Sequence, residues 1–347
     1  MSTKNTIFLL SILCAANVFA QTDSTNVNNL EAVEVKGGKF EFRKKRLKSE
    51  EICKALCLIS FGLFKKVIIA DYLSKSVNSL AAVPGDSMYM MEAWLFSVGY
   101  SLQLYFDFSG YSEMVMGIAL LFGIELPRNF SAPYKSLSII EFWRRWHMTL
   151  GYWVKNYLYI PMGGNRRGQF RKSLNLFLSM AIIGLWHGAG WNFVLWGCLH
   201  GVYLVINHQW RRFHITIPKA IAWMLTYVSV VHAWVFFRVS DIRQGWSIIQ
   251  AMYGKNGFAV PESGLSAILQ SMGVQVGDRF SSVGLPGLAL VVVAFLIALI
   301  LPDAVSMTDM IIRKPDRRSA LMTALLFSAA VIIVGAGSAT EFLYYQF

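Results

Sequence analysis

Apolar residues fall in long runs separated by short polar or basic stretches, and the runs do not alternate. They lie near 52–70, 89–108, 112–126, 173–186, 191–207, 219–237, 285–301 and 319–337. About 20 mostly apolar residues in a helix cross the roughly 30 Å hydrocarbon layer of a bilayer. Strands of an outer-membrane barrel would instead show short alternating segments. The pattern therefore predicts an all-α, polytopic transmembrane protein with about eight membrane segments. Two of the runs are short enough to be tilted, re-entrant or buried among their neighbours.

The first fifty residues differ from this pattern. Lys4, an apolar run from Thr6 and Val18-Phe19-Ala20 before Gln21 fit a secretory signal peptide cleaved after Ala20, with an uncleaved first anchor as the alternative. Residues 21–38 are polar and low in aromatics, a composition that favours disorder, and the basic run Arg43 to Lys48 follows. The expected organisation is a signal-like segment at 1–20, a polar tail at 21–48 and a membrane core at 49–347.

Composition supports the membrane reading. Hydrophobic residues make up 55% of the 347 positions and charged residues 15%, and the mean hydropathy is +0.46. A soluble domain carries about 25% charged residues to keep its surface wet. The net charge of +12 does not indicate nucleic acid, because the basic residues do not form one soluble face. They sit between the runs, at Lys65–Lys66, Arg166 to Lys172, Arg211–Arg212 and Arg313 to Arg318, where contact with anionic lipid is expected. The lipid bilayer is thus the first partner. Of the four cysteines, Cys14 lies in the signal-like segment, and Cys53, Cys57 and Cys198 read as buried apolar thiols without zinc-ligand spacing.

Ionisable groups are costly inside apolar runs, so each is a candidate for function. Six histidines are present, and two have unusual surroundings. His187 sits in Gly184-Leu185-Trp186-His187-Gly188-Ala189-Gly190-Trp191, where glycines allow close approach and Trp186 and Trp191 offer apolar walls with N–H donors. A neutral imidazole there could accept a proton from an alcohol; helix packing, with the ring bonded to a neighbouring carbonyl, is the competing role. His147 sits in Glu141-Phe142-Trp143-Arg144-Arg145-Trp146-His147. At about 100° per residue, Trp143, Trp146, His147, Leu150 and Val154 share one face of an interfacial amphipathic helix. Arg144, Arg145 and Trp146 are read first as interfacial anchors and second as donor or substrate contacts.

Asp107, in Tyr105-Phe106-Asp107-Phe108-Ser109-Gly110-Tyr111, lies between two apolar runs. It could cap the following helix, bind a cation or orient an imidazole. The loop Pro161 to Gln169 nearly matches a phosphate-binding loop, but Gln169 stands where the lysine is needed. Asn165 and Arg166 in it are candidates for a phosphate of a donor or for lipid headgroups. No Gly-x-Ser-x-Gly elbow and no His-Glu-x-x-His pattern occur, and no metal is expected.

The chain resembles the membrane-bound O-acyltransferase family, in its alginate O-acetyltransferase branch. The resemblance rests on Gly62-Leu63-Phe64-Lys65-Lys66 to Asp71, Tyr105 to Ser112, Asn129 to Tyr134 and Phe142 to His147. It continues through Tyr157 to Gly164, Leu185-Trp186-His187-Gly188-Ala189, Phe236-Phe237-Arg238 and the closing Phe342 to Phe347. It implies that His187 occupies the principal catalytic position and His147 the second. It further implies transfer of an acetyl group from a cytoplasmic thioester, acetyl-CoA or another, toward a cell-surface or exopolysaccharide hydroxyl. The donor is a substrate, and no permanently bound cofactor is expected. An extracytoplasmic partner acetyltransferase and a cell inner membrane location are implied as well. D-alanyl transfer, as in a related branch, is the alternative for the acyl group. Family members carry further spans before the Gly-Leu-Phe-Lys-Lys region, which makes a truncated remnant or a membrane partner subunit the alternative to an enzyme. A transporter is the third class, and no inverted repeat supports it.

Overall fold

The first apolar run folds into a helix because nothing in it breaks one, and the helix carries on past its basic pair. The computed structural model describes residues 48–261 and 284–336, with 33–35, 38–40, 270–271, 275–277 and 343 besides. The signal-like segment, most of the polar tail and, apart from Leu343, the closing aromatic motif lie outside the described residues. Helix α1 (Ser49–Leu63) passes without a break through a wide π-helical stretch (Phe64–Ala70) into α2 (Asp71–Ala81). Lys65 and Lys66 are therefore buried in the middle of a helical rod, a correction to their expected place in a loop.

Helix α3 (Met90–Leu121) is a second correction. The runs at 89–108 and 112–126 were expected as separate segments, yet 32 residues form one helix, about 48 Å long at 1.5 Å per residue. Asp107 sits in its interior and caps nothing. The helix holds together because α1 lies close against it. A Cβ on Gly62 would stand 2.5 Å from the carbonyl oxygen of Gly110, and one on Gly110 would stand 2.7 Å from that of Gly62. Only backbones without side chains approach so closely.

The remaining helices are α4 (Ile139–Arg145), α5 (Met148–Val154) with a short π stretch after it (Lys155–Tyr159), α6 (Gly168–His187), α7 (Trp191–Trp210), α8 (Lys219–Arg238), α9 (Ile242–Met252), α10 (Gly284–Ile300), α11 (Ala304–Arg313) and α12 (Arg317–Gly335). Of these, α8, α9 and α10 pack on α3, while α11 and α12 pack on α1. Extended structure is confined to two three-residue pairs among the described residues. These are β1 (Val33–Val35) with β2 (Gly38–Phe40), antiparallel, and β3 (Ala259–Pro261) with β4 (Gln275–Gly277), parallel. Helices α6 and α7 form an antiparallel hairpin. Its tightest point is Gly184 against Gly197, where an added Cβ would collide with the carbonyl oxygens of Phe193 and Met180.

Among the described residues, two helices are by themselves long and apolar enough to cross a membrane, α8 and α12. The pair Pro286–Ile300 and Ala304–Arg313, bent by 59°, makes a third if it is one span. The expected count of about eight is thus not reached by length and composition alone. Helix α1, at 15 residues, is short by itself, and α3 carries Asp107 and Glu113, which pair with Lys66 and Lys65 of the π-helical stretch. Polar positions covered by protein lower a helix's hydropathy without exposing charge to lipid. The thiols also divide: Cys57 is buried beside Thr323, whereas Cys53 is exposed, contrary to expectation.

Candidate active site

His147 does not lie within one amphipathic helix. Helix α4 ends at Arg145, α5 begins at Met148, and His147 between them takes a left-handed backbone, φ 43° and ψ 54°. That conformation is uncommon for a residue with a Cβ and needs surrounding support. Asn129 supplies it. Its carbonyl accepts the Met148 N–H at 2.9 Å, its Oδ1 accepts the Thr149 hydroxyl at 3.0 Å, and its Nδ2 donates to Ser112 of α3 at 3.2 Å. The Ser131 N–H adds a bond to the Arg145 carbonyl at 3.0 Å. Helical periodicity through 143–154 missed this break because the forces that make it come from a distant segment.

The break gives His147 a chemical orientation. Its Nδ1 accepts the Leu150 N–H at 3.3 Å, capping α5. In the neutral ring the proton is thereby assigned to Nε2, which becomes a donor. The ring packs edge-on against Phe108, centroids 4.8 Å apart.

His187 closes α6, and Gly188 to Gly190 turn the chain into α7. Asn192 anchors this turn by donating to the carbonyl of Val239 at 2.8 Å, just beyond the end of α8. The imidazole meets Trp196 and Phe237 edge-on, each at 5.2 Å, and Trp186 at 4.9 Å.

The two histidines, forty positions apart in sequence, line one cavity. Its other walls are Leu104, Phe108, Trp143, Trp146, Leu150, Trp196, Trp234 and Phe237. The free volume, about 10 Å³, is room for about one water molecule. An acyl chain entering it must move side chains apart. The rings form a continuous wall: Trp146 packs on Trp234 at 5.0 Å and Trp234 stacks on Trp196 at 5.5 Å. The expected walls, Trp186 and Trp191, do not line it. They are 61% and 78% exposed, so Trp186 touches His187 from outside and Trp191 faces away. Indoles next to a histidine in sequence lie on other faces of the helix, and the lining indoles come from α4, α7, α8 and the break.

Of the remaining candidates, Trp146 belongs to the wall and the others lie elsewhere. Asp107 is engaged by Lys66 at 2.8 Å and by the Leu343 N–H at 3.0 Å, so its carboxylate faces away from the imidazoles. Its neighbour Phe108 is the residue that reaches His147. Arg145 pairs with Glu141 at 2.6 Å and Arg144 is exposed. Asn165 and Arg166 are exposed in the glycine loop and do not line the cavity. Among the described residues no three His, Cys, Asp or Glu side chains converge as metal ligands.

Two arrangements went unread in the sequence. Lys65 pairs with Glu113 at 2.6 Å, and Lys66 bridges Asp71 at 2.6 Å and Asp107. His200, fully buried, accepts the Trp143 N–H on Nδ1 at 3.3 Å and stacks parallel to Phe142. Its one available signal was the spacing Trp196 to His200, one helical turn.

Comparison with known proteins gives a consistent result. Residues 39–241 match the membrane-bound O-acyltransferase family. The chain is 45% identical over 218 residues to a peptidoglycan O-acetyltransferase of Helicobacter pylori, covering 62% of this chain and 41% of that protein. It is 39% identical over 220 residues to the probable alginate O-acetylase AlgI of Pseudomonas aeruginosa, with the same coverage of each. A teichoic acid D-alanyltransferase of Streptococcus thermophilus is 36% identical over 179 residues, 48% of this chain and 42% of that protein. The chain therefore matches about two fifths of the length of these relatives.

Proposed function

This chain belongs to the membrane-bound O-acyltransferase family, and from that premise we propose that the aromatic cavity is an acyl-transfer site with His187 as its general base. The observation that carries the reading is that His147 and His187, from separate elements, line the same buried cavity. His187 takes the proton of an acceptor hydroxyl as its oxygen attacks the thioester carbonyl. The C–S bond breaks, and the departing thiolate receives the proton from the imidazolium. His147, with its proton on Nε2, donates to a substrate oxygen and positions it. A positioned base contributes about 10²–10⁴-fold to rate, with orientation supplying more.

The acyl group is acetyl, carried by a cytoplasmic thioester such as acetyl-CoA. The acceptor is a hydroxyl of a cell-surface polysaccharide, either exopolysaccharide or peptidoglycan, reached with an extracytoplasmic partner acetyltransferase. About eight segments cross or enter the cell inner membrane. In support, two relatives are named for O-acetyl transfer to alginate and peptidoglycan. The name of the D-alanyltransferase favours D-alanyl as the second reading of the acyl group.

The test is labelled acetyl transfer from acetyl-CoA to added polysaccharide in vesicles holding this chain, against vesicles holding His187→Ala at matched expression. Transfer by the first and a loss of about 10²-fold or more in the second is expected. Equal transfer by both refutes the role of His187. No transfer by either favours a partner subunit or an inactive remnant.

A further inference from the structure

Trp196 lines the cavity beside His187, is 1% exposed, and its indole N–H has no hydrogen-bond acceptor. One turn further along α7, His200 is fully buried. Its Nδ1 accepts from Trp143, so in the neutral ring its proton is on Nε2, and that atom has no partner either. Both orphaned atoms are thus donors, on rings 5.0 Å apart. A buried donor without an acceptor costs about 1–3 kcal/mol. The Trp196 donor on the cavity wall, with that of His200 one helical turn behind it, marks a place that favours an oxygen acceptor over hydrocarbon. An alcohol or an amine substrate nitrogen would bring donors of its own; a carbonyl brings only lone pairs.

We infer that Trp196 is a catalytic residue whose indole N–H holds the carbonyl oxygen of the bound acyl thioester, with His200 keeping the Trp143 indole in place behind it. This rests on the acyl-transfer reading of the cavity. When the acceptor oxygen adds to the carbonyl carbon, the C=O electron pair moves onto the oxygen and the new charge meets the Trp196 N–H. When the pair returns, the C–S bond breaks and the thiolate leaves with the proton held by His187. A donor aimed at developing charge acts more strongly on the transition state than on the ground state. The edge-on contact of Trp196 with His187, 5.2 Å between centroids at 86°, sets the base and the donor at neighbouring places on the cavity wall.

The test uses S-acetyl-N-acetylcysteamine labelled with ¹³C at the carbonyl, bound to the purified full chain in detergent, and reads the carbonyl stretch by difference infrared spectroscopy. Wild type is expected to lower the bound carbonyl frequency relative to the free thioester. Trp196→Phe, which keeps a ring and removes the N–H, returns it toward the free value. Trp210→Phe, whose indole N–H already donates to the Ile215 carbonyl, leaves the lowered band unchanged and shows that a lost indole alone is harmless. In vesicle transfer assays Trp196→Phe lowers kcat about 10²–10³-fold with KM within about twofold. A lowered band in wild type that persists in Trp196→Phe overturns the assignment, as does an unshifted band, the result if water alone occupies the indole. Full kcat in a folded Trp196→Phe while His187→Ala is inactive overturns this inference and leaves the acyl-transfer reading standing. Absence of thioester binding by wild type overturns both.

Discussion

Two buried polar regions meet on α3, and they are satisfied in opposite ways. On the side facing α1 and α2, carboxylates and ammonium groups cancel: Lys65 with Glu113, Lys66 with Asp71 and Asp107. On the other side, Phe108 leads to an aromatic cavity holding two imidazoles and no paired carboxylate among its lining residues. The first region is built to stay closed, because each charge depends on its partner. The second keeps neutral, polarisable groups that can exchange protons and hydrogen bonds with a guest. Asp107 and Phe108 are adjacent, so a seam that locks the helices and a wall that touches His147 begin at consecutive residues.

The comparison can be broken most forcefully in the seam. Lys66→Met leaves Asp71 and Asp107 facing each other without their cation and is expected to cost about 3–5 kcal/mol, read as a lower thermal midpoint in detergent. A midpoint equal to wild type would mean that the seam is not what joins α1 to α3. His147→Ala removes a cap and places alanine in a left-handed backbone, at a cost of about 1–2 kcal/mol. His147→Asn tolerates that backbone and retains a capping oxygen, so it recovers most of the stability but not the transfer rate. Recovery of both would make His147 a structural cap alone. The double variant Lys65→Met with Glu113→Leu removes both members of a pair, and its midpoint stays within the shift of about 1 kcal/mol. The smallest effect is expected for Asn165→Ala and Arg166→Ala, exposed in the glycine loop. Transfer with S-acetyl-N-acetylcysteamine should match wild type, while a raised KM for acetyl-CoA alone would give the loop a role in nucleotide binding.

Much of the helical character was legible in the sequence, since uninterrupted apolar runs admit few alternatives. The two histidines that share the cavity could also be picked out, because glycines and indoles around an imidazole depart from ordinary helix packing. What could not be read depended on contacts across the fold. Asp107 to Ser112 looked like a boundary because aspartate, serine and glycine favour helix ends; Lys66, one helix away, holds Asp107 within α3 instead. Lys65 and Lys66 looked like loop cations because charge pairing is invisible to local composition. The break at His147 ran against helical periodicity, since Asn129 and Ser131 create it from outside the helix. The cavity indoles were misassigned by adjacency, because residues next to His187 point to other faces while Trp196 and Trp234 line the cavity through packing.

The central claim is that the cavity does chemistry and the seam holds structure, and one paired measurement on His187→Ala tests it most directly. The variant's thermal midpoint in detergent and its labelled acetyl transfer in vesicles are to be compared with those of wild type. The account predicts a midpoint close to wild type and transfer reduced by about 10²-fold or more. Undiminished transfer with an unchanged midpoint would contradict it, because the imidazole would then be a packing residue and the cavity no active site.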